Sequence, residues 1–255
     1  MACAFASFAA AAAPISPNGD ADVAAAIADL HSRKPEIRGH AADQLIKTGP
    51  DAIPEILRHV ADRGMRVPLL RVIADMGPKG VARLLELLND PLQAVAAAEA
   101  LSLVARPDSS AQVPALLACL NVHPALRDSC GRALVRVCDL RAARQLPALR
   151  AELQKPEKPE ALVRTYVLLA VAQIGSKAAP ALADVLAAAG DPAPMVRRAA
   201  VRGLGAIGKR TPEVRAALET AAADSDGEVS GAAKEALSVY PPRRASKSRP
   251  GAEFK

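Results

Sequence analysis

The fold is decided by two stretches, VRTYVLLAVAQIG at residues 163–175 and VRRAAVRGLGAIG at residues 196–208. Each begins with an apolar residue followed by arginine, keeps apolar residues at helical spacing, and closes on glycine. IRGHAADQLIKTG at 37–49 and MRVPLLRVIADMG at 65–77 repeat the pattern. With weaker copies included, the repeats start at residues 37, 65, 93, 126, 163, 196 and 229. A period of 28 to 37 residues indicates a repeat protein.

A second apolar stripe follows each copy. In three copies it consists of Ile53, Ile56, Leu57 and Val60, of Val81, Leu84, Leu85 and Leu88, and of Val113, Leu116, Leu117 and Leu120. Pro50 and Pro78 stand directly after closing glycines, where they end a helix, and the glycines suit a left-handed C-cap. Each repeat is therefore a predicted helical hairpin with apolar faces that only its neighbours can bury. We predict an all-α solenoid of about six hairpins, with capping helices near residues 22–30 and 229–240.

The composition agrees with helices and disfavours a sheet. Hydrophobic residues make up 51% of the 255 residues, yet there is no Trp, and the three Phe stand at positions 5, 8 and 254. A core of Ala, Leu, Val and Ile favours closely packed helices, because sheets draw on β-branched and aromatic residues. The predicted organisation is an Ala-rich leader at 1–21, a solenoid at 22–240 and a basic disordered tail at 241–255.

The net charge of +6 is concentrated in that tail. Five cations against Glu253 give the tail +4 and leave +2 for the rest of the chain. A basic tail next to Arg197, Arg198, Arg202, Lys209, Arg210 and Arg215 would suit nucleic-acid phosphates. We do not favour nucleic-acid binding, because charged residues ordinarily cover solvated helix faces.

The repeats resemble the HEAT-like repeats of bacterial proteins, particularly the short variety found in phycobilin lyases. The resemblance depends on the apolar-Arg openings, on cores such as AADQL from Ala41 and AAKEAL from Ala232, and on the closing glycines. It implies an arginine ladder in which each opening arginine pairs with an acid in the turn before it. The matching arginines are Arg38, Arg66, Arg127, Arg164 and Arg197. The matching acids are Glu36, Asp62, Glu160 and Asp191, and Ala94 and Ser230 interrupt the pattern.

The chain termini and the cysteines do not determine the cellular compartment. MACAFASFAAAAAPIS at 1–16 has the length of a signal peptide but lacks cations, so we favour a cytoplasmic protein, periplasmic or secreted if the leader is a signal remnant. No transmembrane segment is predicted. Cys119 lies within reach of Cys130 or Cys138 across a helix pair. We expect buried free thiols, and the sequence does not choose between the two disulfides.

No constellation of residues predicts catalysis, a metal or a cofactor. The four histidines, His31, His40, His59 and His123, are scattered, and the His-Glu pairs used by deoxyhypusine hydroxylases of this fold are missing from the sequence. Base excision and single-strand binding need aromatic platforms, and the solenoid has only Tyr166 and Tyr240. We predict that the protein is not an enzyme and that it uses no cofactor.

The second helices are predicted to line the concave face. Their outward positions form columns that begin charged and become rich in alanine. The predicted partner-binding residues are Glu55, Arg58, Arg83, Glu86, Ala115, Ala148, Ala181 and Asp184. These residues predict a scaffold or adaptor for another protein. The alternatives are a phycobilin-lyase-like subunit acting in a complex, and a nucleic-acid-binding protein that uses its basic C-terminal end.

Overall fold

The computed structural model describes residues 17–239, with side chains from residue 21 onward. Within that range the chain forms helices and turns but no strand. The α-helices are α1 Pro17–Asp29, α2 Pro35–Thr48, α3 Ile53–His59, α4 Arg66–Asp75, α5 Pro78–Leu87, α6 Ala94–Val104, α7 Val113–Val122, α8 Arg127–Val137, α9 Leu146–Leu153, α10 Ala161–Ile174, α11 Leu182–Ala188, α12 Pro194–Ile207, α13 Pro212–Ala222 and α14 Gly227–Ser238.

These helices form the predicted solenoid. The pairs α2/α3, α4/α5, α6/α7, α8/α9, α10/α11 and α12/α13 are six successive hairpins, and α1 and α14 cap the two ends. We call the even-numbered helices from α2 to α12, with α14, the first-helix layer, and the odd-numbered helices from α3 to α13 the second-helix layer. The apolar stripes of both layers meet in one continuous core that runs from Val23 to Ala233. The all-α solenoid is therefore confirmed.

The predicted boundaries need one adjustment. Helix α1 begins at Pro17, so the division drawn after residue 21 falls inside this helix. Residues 1–16 and 240–255, which include most of the predicted leader and the whole predicted tail, lie outside the described residues.

The closing glycines end the first helices as predicted, but only one does so in the predicted conformation. Gly208 is left-handed, with φ 68° and ψ 14°. Gly49, Gly77 and Gly175 have positive φ with ψ between −136° and −150°, a region open essentially to glycine alone. At Gly49 and Gly77 the proline that follows favours this extended ψ, because proline disfavours helical ψ in the residue before it, but Gly175 adopts the same conformation before Ser176.

Short 3-10 segments lead into four of the second helices. They are Gly49–Ala52 before α3, Pro107–Gln112 before α7, Leu140–Gln145 before α9 and Gly175–Ala181 before α11. The second helices are consequently short; α3 and α11 have seven residues each. This shortening changes which residues of the second-helix layer face outward.

Two cysteines form a disulfide across the middle of the solenoid. Cys119 in α7 and Cys130 in α8 are bonded, with their Cα atoms 6.2 Å apart. The expectation of free thiols is wrong for this pair, because the second helix of the third hairpin packs directly on the first helix of the fourth. Cys138 is free and buried, and burial followed by the nearby Asp139 charge raises the pKa of its thiol to about 12.

One stretch of residues 17–239, Ala161–Ala188, is long and apolar enough to cross a membrane. It consists of α10, the 3-10 segment and α11, and Val167, Leu168 and Val171 are buried in the solenoid core. Core helices of soluble proteins share this composition, so the stretch is weak support for a span. The absence of a membrane-spanning segment stays a prediction.

Candidate functional site

The opening arginines form ion pairs between repeats, but with different acids from those predicted. Arg164 Nη2 lies 2.8 Å from Asp191 Oδ1, and Arg197 Nε lies 2.7 Å from Asp224 Oδ2. Each acid belongs to the turn that opens the next repeat, whereas the prediction placed it in the turn before the arginine. In the preceding turn the arginine bonds a backbone carbonyl and not an acid: Arg197 Nη1 donates to the carbonyl of Asp191 at 3.0 Å.

The same forward pairing occurs earlier in the chain with less regularity. Arg127 pairs with Glu160, and Arg66 Nη2 lies 3.2 Å from Glu99 on α6. Arg38 donates to the carbonyls of Ser32 and Arg33, at 2.8 and 3.1 Å. In this ladder an opening arginine bonds backbone carbonyls of the turn before it. Where an acid is available, it also forms an ion pair with the following repeat.

Two ladder carboxylates have lowered pKa values. Burial would raise the pKa of Asp191, but hydrogen bonds from Arg164 and from the N–H of Ala193 outweigh it and lower the pKa. Hydrogen bonds from Arg197 and from the N–H of Asp226 lower the pKa of Asp224 to about 2. Both carboxylates are consequently ionised at neutral pH and hold their arginines in charge-assisted hydrogen bonds.

The second-helix layer does not present the predicted binding surface intact. Ala181 is 0% exposed and ends the 3-10 segment before α11, so its assignment as a partner-binding residue is wrong. Asp184 accepts hydrogen bonds from Arg150 Nε at 2.6 Å and from Gln154 at 2.7 Å. Its carboxylate therefore joins α9 to α11 and has little capacity left for a partner.

The remaining predicted residues of this layer lie at or near the surface. Arg58 and Glu55 pair within α3 at 2.5 Å. Arg83 and Glu86 pair within α5 at 2.7 Å, although the Arg83 side chain is largely covered. Ala115 is exposed and Ala148 is half-buried. Nothing tests their role in binding, and it stays a prediction.

A groove lies on the opposite, first-helix side of the solenoid. It has a volume of about 680 Å³ and crosses α4, α6, α8 and α10, without a contribution from the second-helix layer. We call it the first-helix groove. Its lining residues are Arg66, Glu99, Ser102, Leu103, Arg132, Val135, Arg136, Tyr166 and Leu169. This groove does not test the prediction that the second helices line the concave face, which stays a prediction.

The groove combines apolar side chains with three arginines and one acid. Leu103 is 46% exposed, and Val135 and Leu169 are half-buried beside it. Arg136 donates from Nε to the carbonyl of Ala105 at 3.2 Å and forms no ion pair within residues 17–239. The lining therefore has a net charge of +2, because Arg66, Arg132 and Arg136 outnumber Glu99.

Tyr166 is held in the groove by a glycine on the neighbouring helix. A Cβ atom on Gly131 of α8 would lie 2.1 Å from the Tyr166 ring, so only glycine lets this ring rest on α8. The Tyr166 hydroxyl donates to Asp128, which also pairs with Arg132 at 2.5 Å. Burial, followed by this hydrogen bond, raises the pKa of Tyr166 to about 12. The phenol is therefore a neutral and fixed part of the lining.

The sequence contained a signal for this groove. Glu99, Arg132 and Leu169 occupy the same position in successive repeats, six residues after each repeat start, and Leu103 and Arg136 share another, ten residues after it. Aligning the first helices by their outward positions would have brought these residues together. The predicted columns use the second helices alone, because these helices are predicted to form the concave face.

Several cations on which the nucleic-acid alternative depends form ion pairs. At the C-terminal end, Arg197 and Arg198 pair with Asp224 and Glu228, so much of the predicted cationic surface is neutralised. Arg215 pairs with Glu219 on the same helix. Between residues 17 and 239 no three His, Cys, Asp or Glu side chains gather as a metal site would require.

The family comparison agrees with this architecture. Residues 146–238, from α9 to α14, match the family model of HEAT repeats. The repeats in this part of the chain are therefore HEAT-like, as the opening arginines, Ala-rich cores and closing glycines predicted. Among curated protein sequences, none matches the chain.

The similar solved structures are helical repeat proteins. An engineered protein of the Northeast Structural Genomics Consortium is 20% identical with a TM-score of 0.50, over 85% of this chain and 95% of that chain. A designed armadillo repeat protein in complex with the peptide (KR)4 is 16% identical with a TM-score of 0.50, over 85% and 98%. The complex of CpcE and CpcF of phycocyanin lyase from Nostoc sp. PCC7120 is 23% identical over 92% of each chain, with a TM-score of 0.36. At these identities the likeness concerns the fold alone.

Proposed function

We propose that this protein is a non-catalytic scaffold that binds another protein through the first-helix groove. The observation that carries the proposal is the groove itself, where the exposed Leu103 lies among Arg66, Arg132 and Arg136 on three successive first helices. Apolar side chains next to arginines and a tyrosine form the mixture that is enriched at the centres of protein interfaces.

The fold supports a binding role. A solenoid exposes a long surface made of equivalent positions, and its stability comes from neighbouring repeats, so surface residues can be devoted to recognition. The designed armadillo repeat protein of similar fold was crystallised with a peptide, which is a property of that protein. For this chain, the nearest equivalent of a peptide-sized depression is the first-helix groove.

The test is an affinity capture from the native source with the full chain as bait. Two variants disrupt the groove: Leu103→Glu introduces a charge on its apolar side, and Arg136→Glu reverses one of its cations. The matched controls are Leu92→Glu and Arg71→Glu, because Leu92 is 94% exposed, the Arg71 side chain is 82% exposed, and both lie outside the groove. Circular dichroism verifies that each variant retains its helices.

We expect at least one protein to be captured by the parent chain and both controls and lost from both groove variants. Rebuilding that complex from purified components then establishes direct binding. Retention of the same proteins by the groove variants would place binding elsewhere on the molecule. Their loss from the controls as well would show an effect of surface charge in general.

A further inference from the structure

We infer that the occupant of the first-helix groove is an acidic peptide segment that carries aliphatic side chains. The inference rests on the proposed function and specifies its partner. It follows from the charge and the apolar content of the lining, which has a net charge of +2 around Leu103, Val135 and Leu169. Complementary charge selects partners and orients them on the surface.

Arg136 is the residue with most capacity for a partner's carboxylate. Its only hydrogen bond among the described residues leaves from Nε to a backbone carbonyl, so the two terminal nitrogens are available. A guanidinium presents these donors in a fork that matches a carboxylate. By contrast, Arg66 and Arg132 already pair with Glu99 and Asp128. Their N–H donors would have to be divided between these acids and a bound peptide.

The apolar side chains favour a peptide over a nucleic acid. Leu103, Val135 and Leu169 offer nothing to a phosphate backbone, whereas they can pack against aliphatic side chains of a peptide. An acidic peptide can place Glu or Asp at the arginines and Leu, Ile or Val on the apolar residues. The basic tail of this chain at 241–255 has the wrong charge to occupy the groove.

The dimensions set the length of the segment. The groove crosses four helices, and packed helices lie about 9 Å apart, so it spans about 27 Å. An extended chain covers that distance with about eight residues. A peptide of twelve residues is therefore long enough to fill the groove with either end free.

The test uses a random library of twelve-residue peptides displayed on phage and panned against the immobilised full chain. We expect the selected sequences to be enriched in Asp and Glu together with Leu, Ile and Val. A synthetic peptide of the consensus sequence should bind Arg136→Ala about tenfold more weakly and Arg71→Ala within about twofold of the parent chain, since one charge-assisted hydrogen bond is lost only in the first. Binding should also weaken as salt is raised.

The contrary outcomes are distinct. Basic or uncharged consensus sequences, no enrichment, or equal affinity of Arg136→Ala and the parent chain would overturn the acidic-peptide inference. So would binding of a duplex DNA that depends on Arg136. If the capture experiment identifies a groove-dependent protein whose bound segment is not acidic, the scaffold function stands and only this inference fails. If no protein depends on the groove, the proposed function itself fails.

Discussion

The ion pairs between repeats differ between the two ends of the solenoid. In the fifth hairpin, Arg164 and Asp191 are only 14% and 5% exposed, and their charged atoms lie 2.8 Å apart. In the second hairpin, Arg66 and Glu99 are 46% and 53% exposed and 3.2 Å apart. Screening by water weakens the second pair far more than the first. The C-terminal repeats are therefore linked by charge as well as by apolar packing, while the N-terminal repeats depend mainly on packing.

The covered ion pairs lie in the part of the chain that matches the family model. Residues 146–238, which match the HEAT repeat model, include the two covered pairs formed by Arg164 and Arg197. The third repeat has Ala94 in place of the opening arginine, and Arg38 in the first bonds only backbone carbonyls among residues 17–239. A solenoid can thus keep its fold after part of its ladder is lost, because the apolar core continues through every repeat.

The largest expected effect comes from substitutions in the core. Their loss of unfolding free energy should be equal at the two ends of the solenoid. Leu45 in α2 and Leu204 in α12 occupy the same repeat position, and both are 0% exposed. We expect Leu45→Ala and Leu204→Ala each to lower the free energy of unfolding by about 3 kcal/mol, through lost burial and an unfilled cavity. Urea denaturation followed by circular dichroism measures this. Unequal losses would mean that packing, and not charge, separates the two ends.

Removing a covered arginine should have the next largest effect. Arg164→Met leaves Asp191 without its strongest hydrogen-bond partner, and we expect a loss of about 2 kcal/mol in the free energy of unfolding. Hydrogen exchange should show the loss concentrated in α10 to α12. A variant as stable as the parent chain would show that the pair makes no net contribution.

The C-terminal pairs should also make stability depend on acidity. The pKa of Asp224 is lowered to about 2 and that of Asp191 is lowered as well, so their contribution is present above the pKa of an unfolded Asp, about 3.9, and disappears as the pH falls towards 2. The difference in melting temperature between the parent chain and Asp224→Asn should therefore shrink from pH 6 to pH 2. A constant difference over this range would contradict the lowered pKa.

The smallest effect is expected at the exposed pair. Arg66→Ala should change the free energy of unfolding by about 0.5 kcal/mol, the usual contribution of a solvent-exposed ion pair. When both variants are measured under the same conditions, the difference between the losses of unfolding free energy in Arg66→Ala and Arg164→Met compares the two ends directly. A loss as large as that of Arg164→Met would remove the distinction between covered and exposed pairs.

The fold was predictable because its signal is local. Each hairpin is specified within about thirty residues by an apolar period, a closing glycine and a second stripe, and all of these recur along the chain. The conformation of Gly49 and Gly77 differs from the predicted left-handed cap, and Pro50 and Pro78 are a local signal for that difference because proline disfavours helical ψ in the preceding residue.

The site was less predictable because it depends on how repeats stack. The sequence identified Arg164 but not its partner, since the acid that meets it comes from the next turn in space. Ala181 faces outward only if α-helical spacing continues through it, whereas residues 175–181 form a 3-10 segment. The contact between Gly131 and Tyr166 joins residues 35 positions apart, and no local sequence pattern predicts it.

Tyr166 also allows binding in the groove to be followed by intrinsic tyrosine fluorescence. The chain has no Trp and only two Tyr, so Tyr240→Phe would leave the phenol at position 166 as the sole tyrosine emitter. Its hydroxyl bonds a carboxylate, an arrangement that quenches tyrosine fluorescence, and its high pKa keeps the ring un-ionised through the working pH range. A ligand that enters the groove and disturbs that bond would brighten the protein without any attached dye.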